Sequence, residues 1–159
     1  MSALTASQLA QIPEIAVSFR FNTLPNQAHQ EPPIINGSEN AYQIFLHCWE
    51  KESLEYEERM YIMLLNASNQ VLGVHHHATG GRMYVLTDIG QIFGIVLKAN
   101  ATGVLLAHNH PSGRMHPSED DKMLTKKVAK AAALLKVKLY DHLIITPKAY
   151  FSFSDEGLL

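Results

Sequence analysis

Only one of the 159 residues is a cysteine, Cys48. An internal disulfide and a thiolate-held zinc are therefore excluded, and any metal must be held by imidazole and carboxylate groups. No run approaches the roughly 18 apolar residues a membrane-spanning helix needs. The start, MSALTASQLAQIPEIAV, has no basic flank leading into an apolar stretch. The expectation is a cytoplasmic chain with no membrane partner. A basic excess is also missing, since 13 Lys and Arg stand against 15 Asp and Glu for a net charge of −2. Domains that grip duplex DNA carry positive charge to displace phosphate counterions, so nucleic-acid binding is expected to be weak at most. No Gly-rich turn joins a strand to a helix, which removes the dinucleotide folds, and no internal repeat appears.

What is present is an apolar fraction of 47% with 18% charged residues, enough at this length for one core. Residues 1–37 read as a lead-in and linker: Ile15 to Leu24 has the composition of a strand, and Pro25 to Gly37 holds three prolines. The domain proper is expected at 38–159. Ala41, Ile44, Phe45, Cys48 and Trp49 repeat at the spacing of one helix face, with Ser38 as N-cap and Cys48 packed as a small hydrophobe. Glu58 to Leu65 and Val71 to His77 read as a hairpin across Asn66 to Asn69, and Tyr84 to Leu86 as a short strand. Ile89, Ile92, Phe93, Val96 and Leu97 predict a second helix behind Thr87 and Asp88. Gly103 to Ala107 is a short, continuously apolar run, as in a strand buried on both faces. Leu124, Val128, Ala131, Ala132 and Leu135 predict a third helix with its lysines on the solvated side. Val137 to Thr146 and Tyr150 to Phe153 close the series as strands. The sum is an α/β domain of about three helices and six strands.

The stretch LLAHNHPSGRMHPSEDD, residues 105–121, carries the chemistry. Strand side chains repeat every two residues, so His108 and His110 leave the strand end on one side and can meet one ion. Pro111, Gly113 and Pro117 make a loop, and Ser118 ahead of Glu119, Asp120 and Asp121 opens a helix. A carboxylate in that first turn can swing back toward the strand. Two imidazoles and one carboxylate leave a fourth position on zinc open, the pattern of a catalytic rather than a structural site. A plainer reading stays open: Ser118 and Asp121 also spell a capping box, and two histidines on a polar loop need bind nothing. The letters HNH do not match the nuclease of that name, whose residues spread over a longer unit.

The HxHP and SxxD elements, at His108, His110, Pro111, Ser118 and Asp121, resemble the JAMM motif of the JAB/MPN metalloprotease family. The spelling HNHPSG, together with YIMLLNASNQVLG, LKANATGVLLAHNHPSG, LYDHLIIT and YFSFSDEGLL, is similar to its RadC-like branch over residues 38–159. The resemblance implies the family's cytidine-deaminase-like three-layer fold, a mixed β-sheet flanked by helices. It implies zinc on His108, His110 and Asp121, and Ser118 donating a hydrogen bond to the developing oxyanion. The general base falls on Glu58, with Glu57 and Glu55 as one-step and longer slips of register. The reaction implied is hydrolysis of an amide or isopeptide bond in a peptide or protein. Longer RadC-like proteins carry an N-terminal helix-hairpin-helix region, for which the 37-residue lead-in is too short and too proline-rich. The competing reading is a metal-stabilised interaction module of the RadC type associated with DNA transactions. A catalytically silent scaffold ranks last, because such members lose ligands that this chain keeps. His75, His76, His77 and His116 lie outside the motif and are expected to be surface or accessory groups.

Overall fold

The apolar run from Gly103 becomes the central strand of a five-stranded sheet, buried along its whole length. The computed structural model describes residues 31–81 and 87–159. In chain order these form α1 (Ser38–Cys48), a 3-10 turn (Lys51–Ser53), β1 (Arg59–Leu65), β2 (Val71–Thr79), α2 (Ile89–Lys98), β3 (Gly103–Asn109), α3 (Glu119–Leu134), β4 (Lys138–Ile145) and β5 (Tyr150–Ser152). The sheet order is β2-β1-β3-β4-β5, with β3 and β4 parallel and the other pairs antiparallel. The mixed sheet flanked by three helices is the expected fold class. The strands expected at 15–24 and 84–86 lie outside the described residues. Among the described residues no helix is long and apolar enough to cross a membrane.

Strand alternation sorts the core into two layers. Tyr61, Met63 and Leu65 of β1, with Leu105 and Ala107 of β3, pack against Ala41, Tyr42, Phe45 and Trp49 on the α1 side. Met60, Ile62 and Leu64, with Val104 and Leu106, pack against Ile92, Phe93 and Val96 of α2 and Val128 and Ala132 of α3 on the other. Continuing the alternation puts His108 on the α2/α3 face and Asn109 on the α1 face. One strand end thus delivers chemistry to both sides of the sheet.

The hairpin turn forms at Asn66 to Asn69, where Asn66 Oδ1 accepts from the Ser68 and Gln70 amides at 2.9 and 3.0 Å. Asn69 takes φ 58°, a left-handed conformation that asparagine tolerates better than most residues. A bulge at His77 leaves that residue without a pairing partner on β1, so His76 lies opposite Tyr61 and His75 opposite Ile62.

Helix ends differ in part from expectation. Asp88 caps α2, accepting from Gly90 N at 2.7 Å. Gly37 rather than Ser38 occupies the N-cap of α1 and makes no side-chain cap bond. Ser38 is already helical, and its hydroxyl turns to Asp155 Oδ2 at 2.5 Å and Tyr150 OH at 3.1 Å. Cys48 is exposed rather than packed, because the buried stripe of α1 ends through Phe45 and Trp49 as the helix stops. Leu97, in the last turn of α2, and Leu135, the C-cap of α3, are likewise 53% and 41% exposed.

Candidate metal centre

Three segments meet at the C-terminal end of β3. His108 is still in the strand and fully buried, since its side chain points under α3. Two residues on, the chain leaves the sheet through a turn in which Gly113 N donates to His110 O at 2.9 Å, and Gly113 takes φ 72°, which a residue without Cβ adopts without strain. That turn keeps His110 beside His108: their Nε2 atoms are 3.0 Å apart. α3 then starts at Glu119 with Ser118 as N-cap. Its first turn swings Asp121 back, placing Oδ1 at 3.1 Å from His108 Nε2 and Oδ2 at 3.5 Å from His110 Nε2.

The Asp121 side chain both closes the capping box and faces the two histidines. Ser118 N and Oγ donate to Asp121 Oδ2 at 2.7 and 2.6 Å, and Asp121 N donates to Ser118 Oγ at 3.1 Å. The capping box fixes the carboxylate in the rotamer that aims it at the histidines. Burial works to raise the Asp121 carboxyl, but the imidazoles of His108 and His110 outweigh it and hold the group far below the ordinary carboxylate range. His110 is pushed up from its ordinary value by its hydrogen bond to Asp121, against the opposing effect of burial. The centre of the cluster therefore calls for positive charge.

A divalent cation fits that demand. His108, His110 and Asp121 are the one group of three potential ligands found among the described residues, with ligand atoms all within 4.8 Å of one another. Atoms bound to one zinc at about 2.0–2.1 Å with tetrahedral angles stand roughly 3.3 Å apart. The observed separations of 3.0, 3.1 and 3.5 Å bracket that value. His110 Nδ1 donates to the Arg114 carbonyl at 2.8 Å, which leaves the Nε2 lone pair available to an ion.

Beside the cluster opens a cavity of about 460 Å³ whose lining includes Glu58, Met60, His110, Arg114, His116, Ser118, Asp121 and Lys127. Glu58 directly precedes β1 and is 7% exposed, whereas Glu55 is exposed and Glu57 is drawn away into an ion pair with Arg59 at 2.6 Å. Of the three candidate glutamates, Glu58 is the one lining this cavity. His116 also lines it. His76 stacks on Tyr61 with ring centroids 4.8 Å apart and bonds to Thr79 Oγ1 at 3.0 Å, and His75 and His77 sit 6.2 Å apart on β2; none of these three joins the cluster.

Three neighbours of the cluster escape sequence reading. Asn109, fully buried, accepts from Arg59 N at 2.8 Å and donates to the carbonyls of Leu54 and Glu57, each at 2.8 Å. It grips the chain on both sides of Glu58. Behind His108 lie His142 of β4 and Thr125 of α3, both buried. The signal for His142 was a histidine inside the apolar run LYDHLIIT, since a polar ring in a buried strand must find partners. Thr125 continues the buried stripe Asp121, Thr125, Val128, Ala132, which is polar at its start and so invisible to an apolar pattern.

A family model described as RadC-like JAB domain matches residues 35–158. A UPF0758 protein of Flavobacterium johnsoniae is 44% identical over 101 residues, covering 64% of this chain and 44% of that protein. One from Thermotoga maritima is 33% identical over 121 residues, 76% of this chain and 54% of its own length. Another, from Chlorobaculum parvum, is 30% identical over 154 residues, 97% of this chain and 65% of its own. The chain spans about half the length of the curated relatives it matches.

Proposed function

The chain belongs to the RadC-like JAB domain family, and on that premise we propose that it is a zinc-dependent metallohydrolase acting on an amide or isopeptide bond of a peptide or protein. The observation that carries this reading is the convergence of His108, His110 and Asp121 beside a cavity into which the buried Glu58 also faces. Two imidazoles with one carboxylate suit zinc, and a set of three leaves room for water, as catalytic zinc sites do. Zinc held there supplies a lowered pKa for water, toward about 7, and polarisation of the scissile carbonyl.

The chain's own residues supply the rest. Glu58 takes the proton released by the attacking water and returns it to the departing amine, so the carboxylate ends as it began. Ser118 is bonded through its hydroxyl to Asp121 Oδ2 at 2.6 Å, and on turning outward donates that proton to the developing oxyanion. Met60, Ile89 and Met123 give the cavity an apolar wall for the substrate. With a net charge of −2, contact with DNA is weak and salt-sensitive.

The test is metal analysis of protein purified without a histidine tag, followed by a peptide-library cleavage screen comparing wild type with Glu58→Gln. Gln keeps the shape of Glu58 but accepts no proton. Zinc content and thermal midpoint stay as in wild type, and cleavage falls by about 10²- to 10⁴-fold. Bound metal with no cleavage by wild type would favour the interaction module instead. Full cleavage by the variant with zinc retained removes Glu58 from the mechanism.

A further inference from the structure

Behind His108 runs a buried line of hydrogen bonds whose direction is fixed at one end. The Asp121 main-chain carbonyl can only accept, and Thr125 Oγ1 lies 2.6 Å from it. The single hydroxyl proton of Thr125 is therefore spent there. The contact of Thr125 Oγ1 with His142 Nδ1, also 2.6 Å, must then be an imidazole N–H donating to the hydroxyl oxygen. His142 is fully buried and stacked on Phe153 with centroids 4.8 Å apart. Among the described residues its ring nitrogens meet only Thr125 and His108, with no carboxylate bonded to balance a charge, so the fully buried ring is neutral. A neutral ring carrying its proton on Nδ1 has a bare Nε2, and that atom is 2.8 Å from His108 Nδ1. His108 must donate across this contact, so Nδ1 carries a proton and Nε2 is the atom turned toward Asp121 and His110.

We propose that His142 and Thr125 are positioning residues for the metal centre, holding His108 as its Nδ1–H tautomer so that the Nε2 lone pair is presented to the ion. This deepens, and rests on, the reading of His108, His110 and Asp121 as ligands. The line also closes on itself, because it starts from the main chain of Asp121, one ligand, and ends on the ring of His108, another. The spacing between the helix-borne and strand-borne ligands is thereby coupled to the tautomer of one of them.

The experiment uses the metal-free chain with nitrogen-15-labelled histidine, reading each ring's tautomer by long-range proton–nitrogen correlation, and separately titrates Co²⁺ by its visible absorption. Wild type shows His108 carrying a proton on Nδ1. His142→Phe keeps the ring's bulk but offers no acceptor; His108 becomes a mixture of tautomers, and Co²⁺ affinity falls by about 10- to 100-fold. His142→Gln, whose amide oxygen accepts from His108 and whose NH₂ donates to Thr125, recovers most of both. If His142→Phe fails to fold, Thr125→Val against Thr125→Ser reads the same line from its other end, the first mixing the tautomers and the second restoring them. A His108 with no proton on Nδ1 in wild type overturns the proposal, as does undiminished Co²⁺ affinity in His142→Phe or a Gln variant no better than Phe. Neither readout needs turnover, so a wild type with the expected tautomer and Co²⁺ binding but no cleavage defeats the hydrolase reading and leaves this one standing.

Discussion

Removing the side-chain amide of Asn109 should loosen the chain around Glu58 more than it disturbs the sheet. Asn109 makes three hydrogen bonds, each 2.8 Å, to Arg59 N and to the carbonyls of Leu54 and Glu57. A neutral hydrogen bond contributes about 1 kcal/mol net, and a buried partner left unpaired costs about 1–3 kcal/mol. Asn109→Ala therefore loses roughly 3 kcal/mol, read as a lower urea midpoint with little change in slope, and roughly 10 °C in thermal midpoint for a domain of this size. Asn109→Asp separates the roles of the two amide atoms. One carboxylate oxygen still accepts from Arg59 N, but the other faces two carbonyls that offer no proton. The introduced carboxyl is then forced upward in pKa, and the variant is destabilised at neutral pH but recovers as acid supplies the missing proton. Well below its midpoint, Asn109→Ala should also lose about 10-fold or more of any hydrolysis the wild type performs, because displacement by an ångström suffices for that. A loss of stability under about 1 kcal/mol in the alanine variant, or an aspartate variant indistinguishable from wild type at pH 7, would refute the reasoning.

His110→Ala leaves two ligands and should abolish tight zinc binding, measured as metal content after gel filtration; unchanged stoichiometry counts against the ligand set. In metal-free protein the His110–Asp121 pair has a worked pH window. The raised His110 contributes stability that is fully present below its unfolded value of about 6.5 and fades as pH rises through the folded value, while the depressed Asp121 contributes stability that is present above about 3.9 and fades in acid. The midpoint difference between wild type and His110→Ala should therefore peak between those limits, and a difference that grows steadily toward pH 9 would contradict it. Gly103→Ala would place a Cβ 2.4 Å from Tyr140 Cε2 in a ring whose hydroxyl donates to Asn69 Oδ1 at 2.6 Å. The ring must shift, and urea unfolding should show a loss of about 1–3 kcal/mol.

The sequence by itself determined the fold class, because three amphipathic stripes and a run of short apolar segments admit few arrangements, and β3 was legible as a strand buried on both faces. It also placed His108 and His110 on one side of a strand end, since a period of two is a local property of the chain. The capping box at Ser118 and Asp121 was local as well, spanning one helical turn. Whether Asp121 serves only its helix or also faces the histidines was not local, because α3 lies on β3 only through packing of Val128 and Ala132 against Val104 and Leu106. The same holds for Glu58, whose separation from its neighbours Glu55 and Glu57 depends on the grip of Asn109 and on the ion pair that draws Glu57 to Arg59. Ser38 lost its expected cap to a contact 117 residues away, with Asp155. His142 and Thr125 were the least legible of all. Each belongs to a segment whose pattern is set by apolar neighbours, and their roles exist only where β3, β4 and α3 bring buried polar atoms within 2.6–2.8 Å. Burial makes such atoms find one another, and burial is a property of the assembled chain.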